Sequence, residues 1–153
     1  MDQEAVVEYI KTAFADIEVL EADGNFFFYY SPEHVVPEKT FPFTTLVAND
    51  LYDQVSDLDR AGVYRLNVGV SKDTYLGLFG VQPEAPGEAG VVQTGDDFKA
   101  LDQVMPHPIY GHLFWLCVLR PGQQTFETIK PLLAEAYQRA VSQYERKAAR
   151  GAG

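Results

Sequence analysis

Residues Leu113-Phe114-Trp115-Leu116-Cys117-Val118-Leu119 form an unbroken apolar run. It is far shorter than the roughly 20 residues that cross a membrane as a helix, but it has the length of a strand. Successive side chains of a strand leave opposite sides of the sheet. A strand that is apolar at every position is therefore satisfied only where both sides are covered. His112–Arg120 is expected at the buried centre of a sheet. Leu113, Trp115 and Cys117 would face one way, and Phe114, Leu116 and Val118 the other.

The rest of the chain supplies partners for that strand. Val6, Ile10, Ala13, Phe14 and Ile17 fall on one helical face, which predicts a helix over 3–15 with Asp2 as its N-cap. A strand follows at 18–21, and Asp23-Gly24-Asn25 reads as a tight turn into an aromatic strand at 26–30. Pro32, Pro37 and Pro42 mark a loop ahead of a strand at 44–48. Asn49 to Gly62 carries Asp50, Asp53, Asp57 and Asp59 and reads as an exposed acidic connection. Over 64–70 the alternation is clean: Tyr64, Leu66, Val68 and Val70 one way, Arg65, Asn67 and Gly69 the other. Ser71 caps a short helix that ends near Gly80.

Residues 81–95 read as irregular, and a short helix is expected at 97–104. The stripe Ile129, Leu132, Leu133, Ala136, Tyr137, Ala140, Tyr144 predicts a long C-terminal helix. Its start is ambiguous, with Thr125 or Thr128 as cap and Pro131 near the first turn. The fold class predicted is α+β: an antiparallel sheet of about five strands, with an N-terminal helix and a long C-terminal helix packed on it. Residues 1–145 form a single domain in this reading, and 146–153 a basic, disordered tail.

Charge narrows the partners. The chain carries −10 over 153 residues, and residues 1–60 hold 13 acids against 3 bases. Nucleic-acid binding depends on concentrated Lys and Arg, so this field opposes it. The acidic start Met1-Asp2-Gln3-Glu4 is unlike a secretory signal, no apolar run spans a membrane, and a single cysteine fits a reducing cytosol. A cytoplasmic protein without a membrane partner is the expectation.

Motifs with a set chemistry are missing from the sequence. Asp57-Leu58-Asp59-Arg60-Ala61-Gly62 begins like a calcium loop, but Val68 stands where the bidentate Glu is required. Cys117 and His112 are five positions apart on the expected strand and leave opposite sides, so they make no nucleophile–base pair. No metal and no cofactor is predicted. If the strands at 26–30, 44–48 and 64–70 pair, Tyr29, Thr45, Arg65 and Asn67 gather on one side. A cluster of this kind around Arg65 suits a pocket for a small anion or polar ligand; the plainer reading is a solvent-facing strand side. His107 and His112, flanking the turn Pro108–Gly111, complete the candidate set.

The segments Pro106-His107-Pro108-Ile109-Tyr110-Gly111-His112 and Trp115-Leu116-Cys117-Val118-Leu119 carry a resemblance, with Leu132-Leu133-Ala134-Glu135-Ala136-Tyr137 beyond them. So do Phe28-Tyr29-Tyr30-Ser31-Pro32 and Ser56-Asp57-Leu58-Asp59-Arg60. Together they resemble the bacterial domain of unknown function 6194 over nearly the whole chain. More distantly, the ending resembles MmcQ/YjbR-like domains, which implies a compact α+β domain with an antiparallel sheet. Some of those domains are proposed to bind DNA, and the acidic charge here runs against that. The leading reading is a non-catalytic module that binds a small ligand or a protein partner. The alternatives are a small enzyme using Arg65 and Asn67 with His107 or His112, and, third, a DNA-binding protein.

Overall fold

A computed structural model describes residues 1–152 of the chain. Its elements run α1 (Gln3–Ala13), β1 (Ile17–Ala22), β2 (Asn25–Tyr30), β3 (Thr44–Val47), β4 (Arg65–Gly69), α2 (Lys72–Phe79), β5 (Met105–Pro106), β6 (Trp115–Leu119) and α3 (Gln123–Ala152). The fold is α+β as expected, but the antiparallel sheet has six strands rather than five, in the order β1-β2-β3-β4-β6-β5.

Local chemistry accounts for the boundaries. Asp2 Oδ1 accepts from the Ala5 N–H at 2.8 Å and starts α1. Asp23 and Gly24 both take positive φ, 53° and 81°, the turn that joins two twisted strands with two residues. Ser71 Oγ accepts from Thr74 N, and Gly80 at φ 84° closes α2.

Three expected boundaries are corrected. The apolar strand expected from His112 begins at Trp115 instead, because Gly111–Leu113 forms a 3₁₀ turn and Phe114 sits at φ 69°. The helix expected at 97–104 is replaced by turns, with Asp102 at φ 58° breaking helical geometry, and the two-residue β5 follows. Neither Thr125 nor Thr128 caps the last helix: α3 starts at Gln123 and carries Pro131 inside it. The basic stretch from Arg146 continues that helix through Ala152, and Gly153 lies outside the described residues.

Both helical ends of the chain pack on the same side of the sheet. Val6, Val7 and Ile10 of α1 join Phe126, Ile129, Leu133 and Ala136 of α3 over Phe28, Leu46, Leu66, Val68, Leu116 and Val118. A smaller cluster lies on the opposite side: Val47, Cys117, Leu119 and Met105 beneath Leu58, Val63 and Phe98, which come from loops. β6 is thus covered on both sides, by helices on one and by loops on the other, but it does not lie at the centre of the sheet: only the two-residue β5 separates it from the edge, and β3 and β4 are the middle strands.

Candidate functional site

The loop-covered side collects the polar residues that strand alternation assigned to it. Thr45 pairs with Asn67 across β3 and β4, and Asn67 with Cys117 across β4 and β6. Asn67 Nδ2 donates to Thr45 Oγ1 at 2.9 Å, and Asn67 Oδ1 accepts from Arg65 Nε at 3.0 Å. The remaining Arg65 donors turn to the loop: Nη1 reaches Asp53 Oδ1 at 3.1 Å and Ser56 Oγ at 2.9 Å, and Nη2 reaches Asp53 Oδ2 at 2.8 Å.

Arg65 does not stand on a solvent-facing strand side. It is 2% exposed, and four of its five N–H groups are spent on protein partners. Burial raises the Asp53 carboxyl, but the hydrogen bonds and positive charge of Arg65, with the Val55 N–H, outweigh it and hold the group below the ordinary value. An arginine held this way anchors a cover over the sheet and has little left to offer an anion.

The cover is the acidic stretch after β3, expected as an exposed connection. Its carboxylates mostly staple the loop to itself. Asp50 Oδ1 accepts from Leu58 N at 2.8 Å, Asp59 Oδ1 accepts from Asp50 N at 3.2 Å, and Leu58 and Ser56 are buried. Among the described residues, no group of three or more His, Cys, Asp or Glu could hold a metal ion.

His107 lies at the β5 end of the same side, buried. Its Nδ1 accepts from the Ile109 and Tyr110 N–H groups, each at 3.1 Å, which places the ring proton on Nε2. Burial, reinforced by the Arg65 charge, pushes its pKa well below the ordinary imidazole range, so the ring is neutral. His112 is elsewhere in the turn: its carbonyl accepts from Gln82 Nε2, and its buried Nδ1 has no partner. No hydrogen bond among the described residues joins the two histidines. Tyr29 shares the sheet side with Thr45, opposite Glu18, but makes no hydrogen bond to the Thr45–Asn67–Arg65 chain. The structure therefore brings Thr45, Asn67 and Arg65 together, sets His107 within reach of the Arg65 charge, and leaves Tyr29 and His112 apart.

Sequence reasoning missed Asp53 and Ser56, which complete the buried network. One signal pointed to them: the acids of the loop lie just upstream of the single base on β4. It also missed an open strip. Leu20 stands directly opposite Phe27 on this side of β1 and β2, and Tyr52 meets Phe27 edge-on with ring centroids 5.8 Å apart. Leu20, Leu51 and Tyr52 are 39%, 64% and 57% exposed. Toward β1 the loop cover ends and an apolar surface remains in solvent.

The model of a family described as Family of unknown function (DUF6194) matches residues 1–149. The chain belongs to that family. Neither a curated protein nor a solved structure matches it. For this DUF6194 domain, then, function is argued from its own surface. No helix among its described residues is long and apolar enough to cross a membrane.

Proposed function

We propose that this DUF6194 domain is a non-catalytic binding module whose site is the open strip on the loop-covered side of the sheet. The observation that carries the reading is the contrast along that side. From β3 to β5 it is sealed over the Arg65 network, while exposed Leu20 and Tyr52 flank a half-buried Phe27 beside it. Contiguous exposed apolar surface costs solubility and marks interaction sites in soluble proteins. A shallow strip without an enclosing cleft suits a macromolecular partner better than a small molecule, which is held in a concave pocket.

The enzyme alternative gains nothing from the geometry, since Arg65 is committed to Asp53 and His107 is neutral and wedged against its own turn. A cytoplasmic setting is part of this reading, supported by one free, buried cysteine. The distant kinship with MmcQ/YjbR-like domains is supported by the order of a Trp-bearing strand, a turn, and a helix holding Glu135 and Tyr137.

Titration of ¹⁵N-labelled protein with fragment and peptide libraries tests the site. Shifts should cluster on Leu20, Phe27, Leu51 and Tyr52. Shifts that cluster around His107 or along α3 would overturn it.

A further inference from the structure

Strand β1 ends the sheet. Six residues, Ile17–Ala22, pair with β2 on one side, and no strand among the described residues pairs with the other. The two-residue Asp23–Gly24 turn closes on the pair Ala22–Asn25, so hydrogen-bonded pairs recur at Ala22, Leu20 and Glu18. The backbone groups of Ile17, Val19 and Glu21 point outward, unused by the sheet. A six-residue edge of this kind is a template for another strand unless something blocks it. β1 contains no proline and, unlike many protected edges, no lysine; its only charges are Glu18 and Glu21.

Those two acids discriminate between occupants. A second copy pairing antiparallel about Val19, whose backbone groups point outward, would set Glu18 against Leu20 and Glu21 against Ile17, twice each, since opposed residues share a sheet side. Each carboxylate would meet an apolar side chain and no cation, and both chains carry −10. A strand that sets apolar residues beside Leu20 sets its alternate residues beside Glu21 on the other side of the sheet, where basic ones find a carboxylate. On the loop-covered side the incoming strand would lie next to Leu20, with Phe27 and Tyr52 behind it, so its apolar side chains find a surface already in place. Main-chain pairing supplies affinity and alternate side chains supply selectivity in this mode of recognition.

Resting on the binding-module reading above, we infer that the outer edge of β1 takes an extended segment of a partner protein in which basic and apolar residues alternate, adding a seventh strand to the sheet.

The test uses the intact chain and two labelled peptides, one alternating lysine with valine and one alternating glutamate with valine, followed by fluorescence anisotropy. The lysine peptide should bind and weaken as salt is raised; the glutamate peptide should bind at least about tenfold more weakly. Glu21→Pro removes an outward N–H at an exposed position and should abolish binding with little change in melting temperature. Because proline could perturb the hairpin, the paired reversal Glu18→Lys with Glu21→Lys serves as a second variant and should invert the peptide preference. The proposal is overturned if the lysine peptide fails to bind, or binds Glu21→Pro as it binds the parent chain. It is overturned equally by a concentration-dependent dimer that Glu21→Pro dissolves, which would give the edge to a second copy. Library shifts on the Leu20–Tyr52 strip alongside failed peptides would sink the strand partner alone and leave the binding-module reading standing.

Discussion

The indole of Trp115 lies across the backbone of Gly69. The two are register partners on β6 and β4, and a Cβ added at Gly69 would stand 2.9 Å from Cε2 and 3.0 Å from Cζ2 of the indole. Glycine is required here for space alone, since an ordinary side chain would occupy the volume of the ring.

Gly69→Ala should therefore displace the only tryptophan and cost about 1–3 kcal/mol, the range for overpacking. A denaturant melt gives the cost, and near-ultraviolet circular dichroism with Trp emission reports the displaced ring. An unchanged spectrum and an unchanged melt would show that the contact is slack.

Arg65→Ala should cost about 3–5 kcal/mol, because it leaves the Asp53 carboxylate under the loop without its partner. On a polar strand side open to solvent the same substitution would cost little; the burial of Arg65 reverses that. Replacing both members, Arg65→Met with Asp53→Leu, should recover a large part of the loss. A double-mutant cycle built on chemical denaturation measures the coupling, and additive losses would contradict the ion pair.

Acid should weaken the fold in two stages. His107 has a depressed pKa in the folded chain, so as pH falls below the unfolded value of about 6.5 the unfolded state takes up a proton that the folded state refuses. Stability then rises with pH across that window, with a slope of up to about 1.4 kcal/mol per pH unit. Asp53 is also depressed, and its contribution is present above about pH 4 and lost below it as the folded carboxyl protonates. Stability measured from pH 4 to 8 should lose the upper slope in His107→Asn, whose side-chain oxygen can still accept from the turn. A slope that persists in that variant assigns it to another group.

Cys117 is fully buried, and burial pushes its thiol up to about 12. Thiol titration should be slow in native buffer and complete in denaturant. Fast native labelling would mean that the β5–β6 edge opens readily.

Duplex DNA should show no useful affinity at physiological salt, on the strength of the −10 charge. A salt-sensitive gel shift at submicromolar protein would refute this.

The two sides of β4 and β6 were legible because strand alternation depends only on neighbouring residues: Leu66 and Val68 face the helices, Asn67 and Cys117 the loops. Asp2, Ser71 and Gly80 were legible as caps for the same reason. What escaped depends on distant chain segments. Asp53 meets Arg65 from twelve residues away, through an irregular loop with no period to read. β5 is two residues long, below any pattern, and exists because β6 offers it an edge. Phe114 takes a left-handed conformation that its residue type disfavours, so an apolar run read as strand turns a corner there. The open strip was invisible for a related reason: Leu20 and Tyr52 look like ordinary core residues until the extent of the loop cover is known.

The bidentate clasp between Arg65 and Asp53 bears on how variation in this family should be interpreted. A genetic screen scored by phenotype will flag Asp53, Ser56 and Arg65 among the most sensitive positions, and a charged trio beneath a loop invites the label of an active site. Their sensitivity would report protein abundance rather than lost chemistry. Measuring soluble protein level beside phenotype would separate the two, and changes at Leu20 or Tyr52, which leave the amount of protein untouched, would be the ones that speak to what the domain touches.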